Sequence, residues 1–380
     1  MTAKELLSLI QLSGERVRSN EEYLRRIQRE LSANEYSYII ERIGETNRRM
    51  PTDFQDSHYY DMISGIFQIL ETTVSEHTIL FKGIPINTKP IPIFGTVASR
   101  GYNALITPSD EPVIAFNDDL LIFTERILHI YTLEHWLAAN KQLTSKIKDI
   151  LTRNFIDLLV CFFCGVDLTY VLPIEACNAD NWNEFEEFNI PEDVILPFDC
   201  IYDARYMLFE EDVKSAAYLW VVAHEYAHLL LGHLDSEKKN LVSRYINDIS
   251  VEEACFQWKD ELDADYLAAS IVMSSDYSHF KMSGIYLALM CLKICGFDQK
   301  TEGISTHPPV NQRLENLMEF IDRETRYQIA CKNIDTVIVP KFIEFKNFLS
   351  HIDAADLTFL NEGEIQKYIY TKYPLSNTRR

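Results

Sequence analysis

The hydrophobic rhythm of the chain changes several times, and each change predicts an element. From Met1 to about Met50, Leu, Ile and Tyr recur opposite Glu and Arg at helical spacing, so this region reads as charged amphipathic helix. Arg25, Arg26 and Arg29 form its solvated face, and Pro51 marks a break. His58 to Thr73 reads as another helix. Between Thr78 and Phe123 the period shortens: Pro85, Pro90, Pro92, Pro108 and Pro112 punctuate short runs of Ile, Val, Phe and Thr, which is strand and turn chemistry. Ala104 to Thr107 and Pro112 to Phe116 are predicted strands around the turn Pro108-Ser109-Asp110-Glu111. Thr144 to Phe163 returns to helical spacing, with apolar residues at 147, 150, 151, 155, 158, 159 and 162.

The stretch Asn178 to Asp212 is acidic and aromatic, with Trp182, Phe185, Phe188, Tyr202 and Tyr206 and no clear period. It reads either as a lid or substrate-binding insertion or as a loop packed on the core. Asp212 to Leu234 is apolar on nearly all sides and suits a buried helix. Ser250 to Met273 is predicted as the next helix, with Ser250 and Glu253 as its capping box. Gly284 to Cys295 is apolar and helical; Pro308 and Pro309 then end a polar loop and start a helix carrying Arg313. Beyond about Ile334 an amphipathic helix continues toward a frayed tail at Ser376 to Arg380. The expected fold is α+β, a mostly helical core with a small β-sheet beside the buried helix. It divides into an N-terminal helical region at 1–76, a main domain at 77–330 and a C-terminal helical extension at 331–380.

Polar side chains interrupt the buried helix at His224, Glu225 and His228, an H-E-x-x-H pattern. Positions four apart on a helix share a face, so two imidazoles at this spacing converge on one ion. Glu225, one step round, reaches a water on that ion without binding the metal. Unpaired buried polar groups cost about 1–3 kcal/mol each, which a metal would relieve. This is the chemistry of a zinc peptidase, with one Zn2+ per chain as its expected cofactor. The longer pattern H-E-x-x-H-x-x-G-x-x-H would need Gly at 231 and His at 234, and both are leucine here. His233 lies off the ligand face and reads as a helix C-terminal cation beside Gly232.

A third ligand is expected from the next helix. Glu261 and Asp265 share one face, with Ala264, Ala268 and Ala269 permitting close approach of a neighbouring helix. One carboxylate would ligate and the other would orient a ligating imidazole. Asp260 and Asp263 read as solvated acidic residues of that helix.

In this order, His224-Glu225-Tyr226-Ala227-His228, then Glu261-x-x-Ala264-Asp265, then Ser305-Thr306-His307-Pro308-Pro309 with Arg313 resemble the gluzincin peptidases of the CAAX-prenyl-protease and HtpX heat-shock-protease type. The resemblance covers roughly residues 100 to 325, with strong motifs and weak similarity between them. It implies a zincin-like core at 77–330 in which His224, His228 and Glu261 hold zinc, Glu225 is the general base and Asp265 stands behind a ligand. It also implies that Asn103 and Ala104 belong to an edge strand beside the bound substrate, where a peptide would add as one more strand. His307 would donate to the oxyanion of the tetrahedral intermediate, and Arg313 would pair with acidic groups near the site. The best-known relatives are membrane proteins, yet no segment here approaches the ~20 continuous apolar residues of a spanning helix. The longest run, Leu158 to Val166, is flanked by Asp157 and Asp167. The expectation is therefore a relative without transmembrane helices.

Composition narrows the function classes. A net charge of −21 argues against phosphate-backbone binding and favours a protein or peptide substrate over nucleic acid. No charged-then-apolar run follows Met1, so no secretory signal is expected, and the eight cysteines are scattered, several in apolar surroundings such as Cys255, Cys291 and Cys295. They read as reduced thiols of a cytoplasmic protein, and Cys161-x-x-Cys164 has no second pair with which to hold a structural zinc. The expectation is a zinc-dependent endopeptidase acting on an intracellular protein. Two alternatives stay open. One is a latent or vestigial peptidase that works as a regulatory protein, with a partner docked on the terminal helical regions. The other is a narrow-specificity protease triggered by a signal such as phage infection, similar to bacterial phage-exclusion peptidases.

Overall fold

The computed structural model describes residues 2–12, 50–52, 54, 57–98, 104–108, 111–164, 168, 203–234, 240–246, 249–276, 279–295 and 307–350. Among them the fold is α+β and mostly helical, with three small sheets. Helix α1 (Ala3–Leu12) and helix α2 (Ser57–Glu76) come first. Strands β1 (Leu80–Phe81) and β2 (Ile84–Pro85) form a hairpin whose two turn residues, Lys82 and Gly83, both take positive φ. That is the turn whose twist matches paired strands. Strands β3 (Ile93–Val97), β4 (Ala104–Thr107) and β5 (Val113–Asn117) follow. They make one sheet in the order β3-β5-β4, with β3 parallel and β4 antiparallel to β5. The two strands read from sequence around the turn at 108–111 are β4 and β5. Ala104 therefore starts an edge strand, and Asn103 lies outside the described residues.

Asn117 passes directly from β5 into helix α3 (Asp118–Ala139), whose first turn carries Asp118 and Asp119 where the helix dipole favours negative charge. Helix α4 (Ser145–Cys164) leads toward helix α5 (Ala204–Leu230), the helix that carries the H-E-x-x-H pattern. Helix α5 begins well before Asp212. Asp203 caps it, its carboxylate accepting from the Arg205 backbone N–H, and Tyr206 is already buried in its first turn. The expected insertion at 178–212 thus ends inside this helix, and the rest of it lies outside the described residues. Trp220 and Tyr226 are among the largest fully buried side chains. Burial of this kind contributes about 1.5–3 kcal/mol per large apolar side chain, so α5 is a core element rather than a surface one.

The expected helix over Ser250 to Met273 is corrected in its first part. Strands β6 (Asn240–Ile246) and β7 (Ile249–Cys255) pair antiparallel from Asn240 opposite Cys255 to Ile246 opposite Ile249. Ser250 and Glu253 therefore lie in a hairpin, where β-branched Ile and Val suit a pleated surface and the partner strand satisfies the backbone. The capping box exists one element later. Gln257 and Asp260 cap each other's backbone N–H groups at the start of helix α6 (Trp258–Ser274). Helix α7 (Lys281–Cys295), the short helices α8 (Val310–Asn316) and α9 (Met318–Asp322), and the long helix α10 (Thr325–Ser350) complete the described chain.

Helices α6 and α7 pack on opposite sides of the same requirement, close approach to α5. A Cβ at Gly284 would lie 2.5 Å from both Ala216 Cβ and Ala217 N, so α7 crosses α5 with no room for a side chain. On α6, Ala264, Ala268 and Ala269 are fully buried. One apolar cluster runs from Tyr59 on α2 to Phe348 on α10, and buried Lys341 of α10 pairs with buried Glu134 of α3. Among the described residues no helix is long and apolar enough to cross a membrane.

Asp157 lies buried on α4, and burial pushes its carboxyl up to about 7 against the opposing influence of Arg153. The native chain then keeps a proton that the unfolded chain releases near pH 4. This group's contribution to stability falls as pH rises from about 4 to about 7. Asp157→Asn is expected to raise Tm at pH 8 and to leave it nearly unchanged at pH 4, which thermal melts at the two pH values will check.

Candidate metal centre

Helices α5 and α6 bring His224, His228 and Glu261 to one buried point. His224 Nε2 lies 3.4 Å from His228 Nε2 and 3.4 Å from Glu261 Oε2, and His228 Nε2 lies 3.6 Å from Glu261 Oε1. Ligands about 2.0–2.1 Å from a tetrahedral ion stand about 3.4 Å apart, so these separations fit a shared zinc-sized ion. Two imidazole nitrogens and a carboxylate oxygen are also a donor set that zinc takes.

Each imidazole is braced on its far side. His224 Nδ1 is 3.0 Å from Asp265 Oδ1, and Arg313 grips Asp265 with two parallel hydrogen bonds, Nε to Oδ2 at 2.7 Å and Nη2 to Oδ1 at 2.6 Å. The guanidinium in turn lies over the Trp220 ring, its carbon 5.6 Å from the centroid. Helix α8, which carries Arg313, is tied to α6 by Asn316 Nδ2 donating to Leu262 O at 2.7 Å. His228 Nδ1 meets His233 Nδ1 at 2.9 Å, and Phe256 stacks on the His228 ring at 3.8 Å. His307, half exposed, places Nδ1 2.8 Å from Glu261 Oε2.

The cluster is strongly polarised. Burial alone would depress His224, but Asp265 and Glu261 outweigh it and raise the imidazole to about 10. Burial acts to raise Glu261, yet His224 and His307 hold it well below the usual carboxylate range. Asp265 is likewise held low against burial, by Arg313 and His224. His228 goes the other way, with burial pushing it well below its usual value. Glu225 is half-buried on α5, and burial pushes its carboxyl up despite nearby His224, His307 and Arg313.

A family model described as peptidase U49 matches residues 181–330. That span, similar to a peptidase family, holds every one of His224, Glu225, His228, Glu261, Asp265, His307 and Arg313. Comparison with curated proteins and with solved structures gave no match.

Of the residues singled out from sequence, the structure gathers these seven around α5, α6 and α8, and leaves Ala104 on β4, which lies against β7. Reading from sequence missed three participants. His233 meets the His228 ring, Nδ1 to Nδ1 at 2.9 Å, and burial lowers its imidazole despite nearby Asp260 and Asp263. Asp260 and Asp263 are not simply solvated: Asp260 caps α6, and Asp263 forms an ion pair with Lys82 of the β1–β2 turn at 2.8 Å. The Lys82 partner is far away in sequence, which is why no local signal pointed to it.

Arg313→Met is expected to cost about 3–5 kcal/mol in urea unfolding, because it strands the Asp265 carboxylate in the core. Adding Asp265→Asn should recover part of that loss, and additive losses in the double variant would contradict the pairing.

Proposed function

We propose that the chain is a zinc-dependent endopeptidase, with His224, His228 and Glu261 as the zinc ligands. The observation that carries this reading is the set of 3.4–3.6 Å separations among three buried donor atoms on two helices. Similarity of residues 181–330 to a peptidase family supports hydrolysis of peptide bonds over other zinc chemistry. The gluzincin arrangement, two histidines of one helix and a glutamate of the next, is the finer form of the proposal.

Zinc, when bound, supplies Lewis-acid polarisation of the scissile carbonyl and an acidified water. The chain's own groups do the rest. Glu225 takes the water's proton and returns it to the leaving amine, a task that its upward-shifted carboxyl suits because a proton must be both accepted and given back. Asp265, braced by Arg313, holds the His224 ring in place. His307, whose Nδ1 meets Glu261, would donate to the oxyanion. Edge strand β4, beginning at Ala104, would receive an extended substrate through backbone hydrogen bonds. The proposed substrate is a protein, and the proposed place of action is the cytoplasm.

Glu225→Gln is expected to keep zinc and the native melting profile while lowering cleavage of a proteome-derived peptide library by about 10²–10⁴-fold. Equal cleavage by wild type and variant would contradict the mechanism. Bound zinc with cleavage by neither would favour the latent, partner-gated alternative.

A further inference from the structure

Helix α5 ends in a way that returns the chain onto one of its own ligands. Gly232 takes φ 69°, the left-handed conformation that closes a helix at little cost for glycine. His233 N then donates to His228 O at 3.0 Å and Gly232 N to Leu229 O at 3.0 Å, the paired bonds of a Schellman ending. The consequence is that His233, five residues beyond His228 and out of helical phase with it, lands beside the His228 ring.

The chemistry of that contact is directional. Two Nδ1 atoms 2.9 Å apart form a hydrogen bond only if one of them carries the proton. His228 Nε2 faces His224 Nε2 and Glu261 Oε1, so a lone pair offered there requires the His228 proton on Nδ1. His233 Nδ1 is then the acceptor, and its own proton sits on Nε2, which faces Asp260 Oδ1 at 3.8 Å. Phe256, stacked within 18° of parallel on His228, fixes the ring plane from its other surface. His233 is not a fourth ligand. It meets His228 through Nδ1, across the ring from the Nε2 that faces the other donors.

We propose that His233 is a positioning residue for the metal centre: by accepting the Nδ1 proton of His228 it fixes the tautomer that aims His228 Nε2 at the ion. It is the counterpart, on the second imidazole, of Asp265 on the first. The two braces differ in chemistry. His224 rests on a carboxylate locked to arginine, whereas His228 rests on an imidazole backed by a more distant aspartate. This inference rests on the zinc reading given above.

The test is zinc affinity by competition with a chelating indicator, for wild type, His233→Phe and His233→Asn. Phenylalanine keeps a planar ring and removes the acceptor; the Asn side-chain oxygen stands near the place of His Nδ1. His233→Phe is expected to weaken zinc binding about 10–100-fold, the usual effect of removing such a support, and His233→Asn to restore most of it. Equal affinity in His233→Phe and wild type, or equal weakening in Phe and Asn variants, would overturn the proposal. Nitrogen-15 spectra of zinc-loaded wild type give a reading independent of any variant's folding. They should place the proton of His228 on Nδ1 and that of His233 on Nε2, and the opposite assignment would overturn the proposal. Wild type that binds no zinc would remove the zinc reading itself, and this inference with it; wild type that binds zinc beside an unaffected His233→Phe would remove only this one.

Discussion

Asp265 has no exposed surface, and a carboxylate in that position must be answered by charge. Arg313 answers it with two short hydrogen bonds, and the same oxygen that accepts one of them faces His224 Nδ1. Three helices are thereby committed to one place: α6 carries the acid, α8 the guanidinium and α5 the imidazole. Moving any of them would leave a buried charge unpaired. The small side chains on the α6 face toward α5 accord with this, since Ala264 and Ala268 are fully buried there.

The cluster is electrostatically prepared for a cation. The carboxylates of Asp265 and Glu261 gather around His224 and raise its imidazole to about 10 against the effect of burial. Two clamps join this centre to the β-rich part of the chain. Tyr226, inside the H-E-x-x-H pattern, hydrogen-bonds both backbone groups of Lys89, and Lys82 pairs with Asp263 on α6. The loop before β3 and the β1–β2 hairpin are thus fastened to the same two helices that carry the candidate ligands.

Much of this was legible in the chain's pattern, and the failures share a cause. His224, His228, Glu261 and Asp265 stand at helical spacing on two segments, and spacing is a local property that a sequence displays openly. The strands β4 and β5 were likewise marked by proline and β-branched residues. Ser250 to Cys255 misled because a Ser-x-x-Glu box opens both real and apparent helices, and only the distant partner β6 decides for a strand. The start of α5 was hidden by aromatic and acidic residues that lack a clean period, although Asp203 was available as a cap. His233 reads as off the ligand face by its angle on an ideal helix, but the helix ends at Leu230 and Gly232 turns left-handed, so that angle does not apply.

In the proposed centre, two helices hold one zinc ion through His224, His228 and Glu261. Metal content of the purified chain tests it most directly, with wild type measured beside His228→Ala and Glu261→Ala. About one zinc per wild-type chain, lost from both variants, is the result expected of a three-ligand site. Zinc retained in Glu261→Ala, or absent from a folded wild type supplied with zinc, would rule out the His224–His228–Glu261 site.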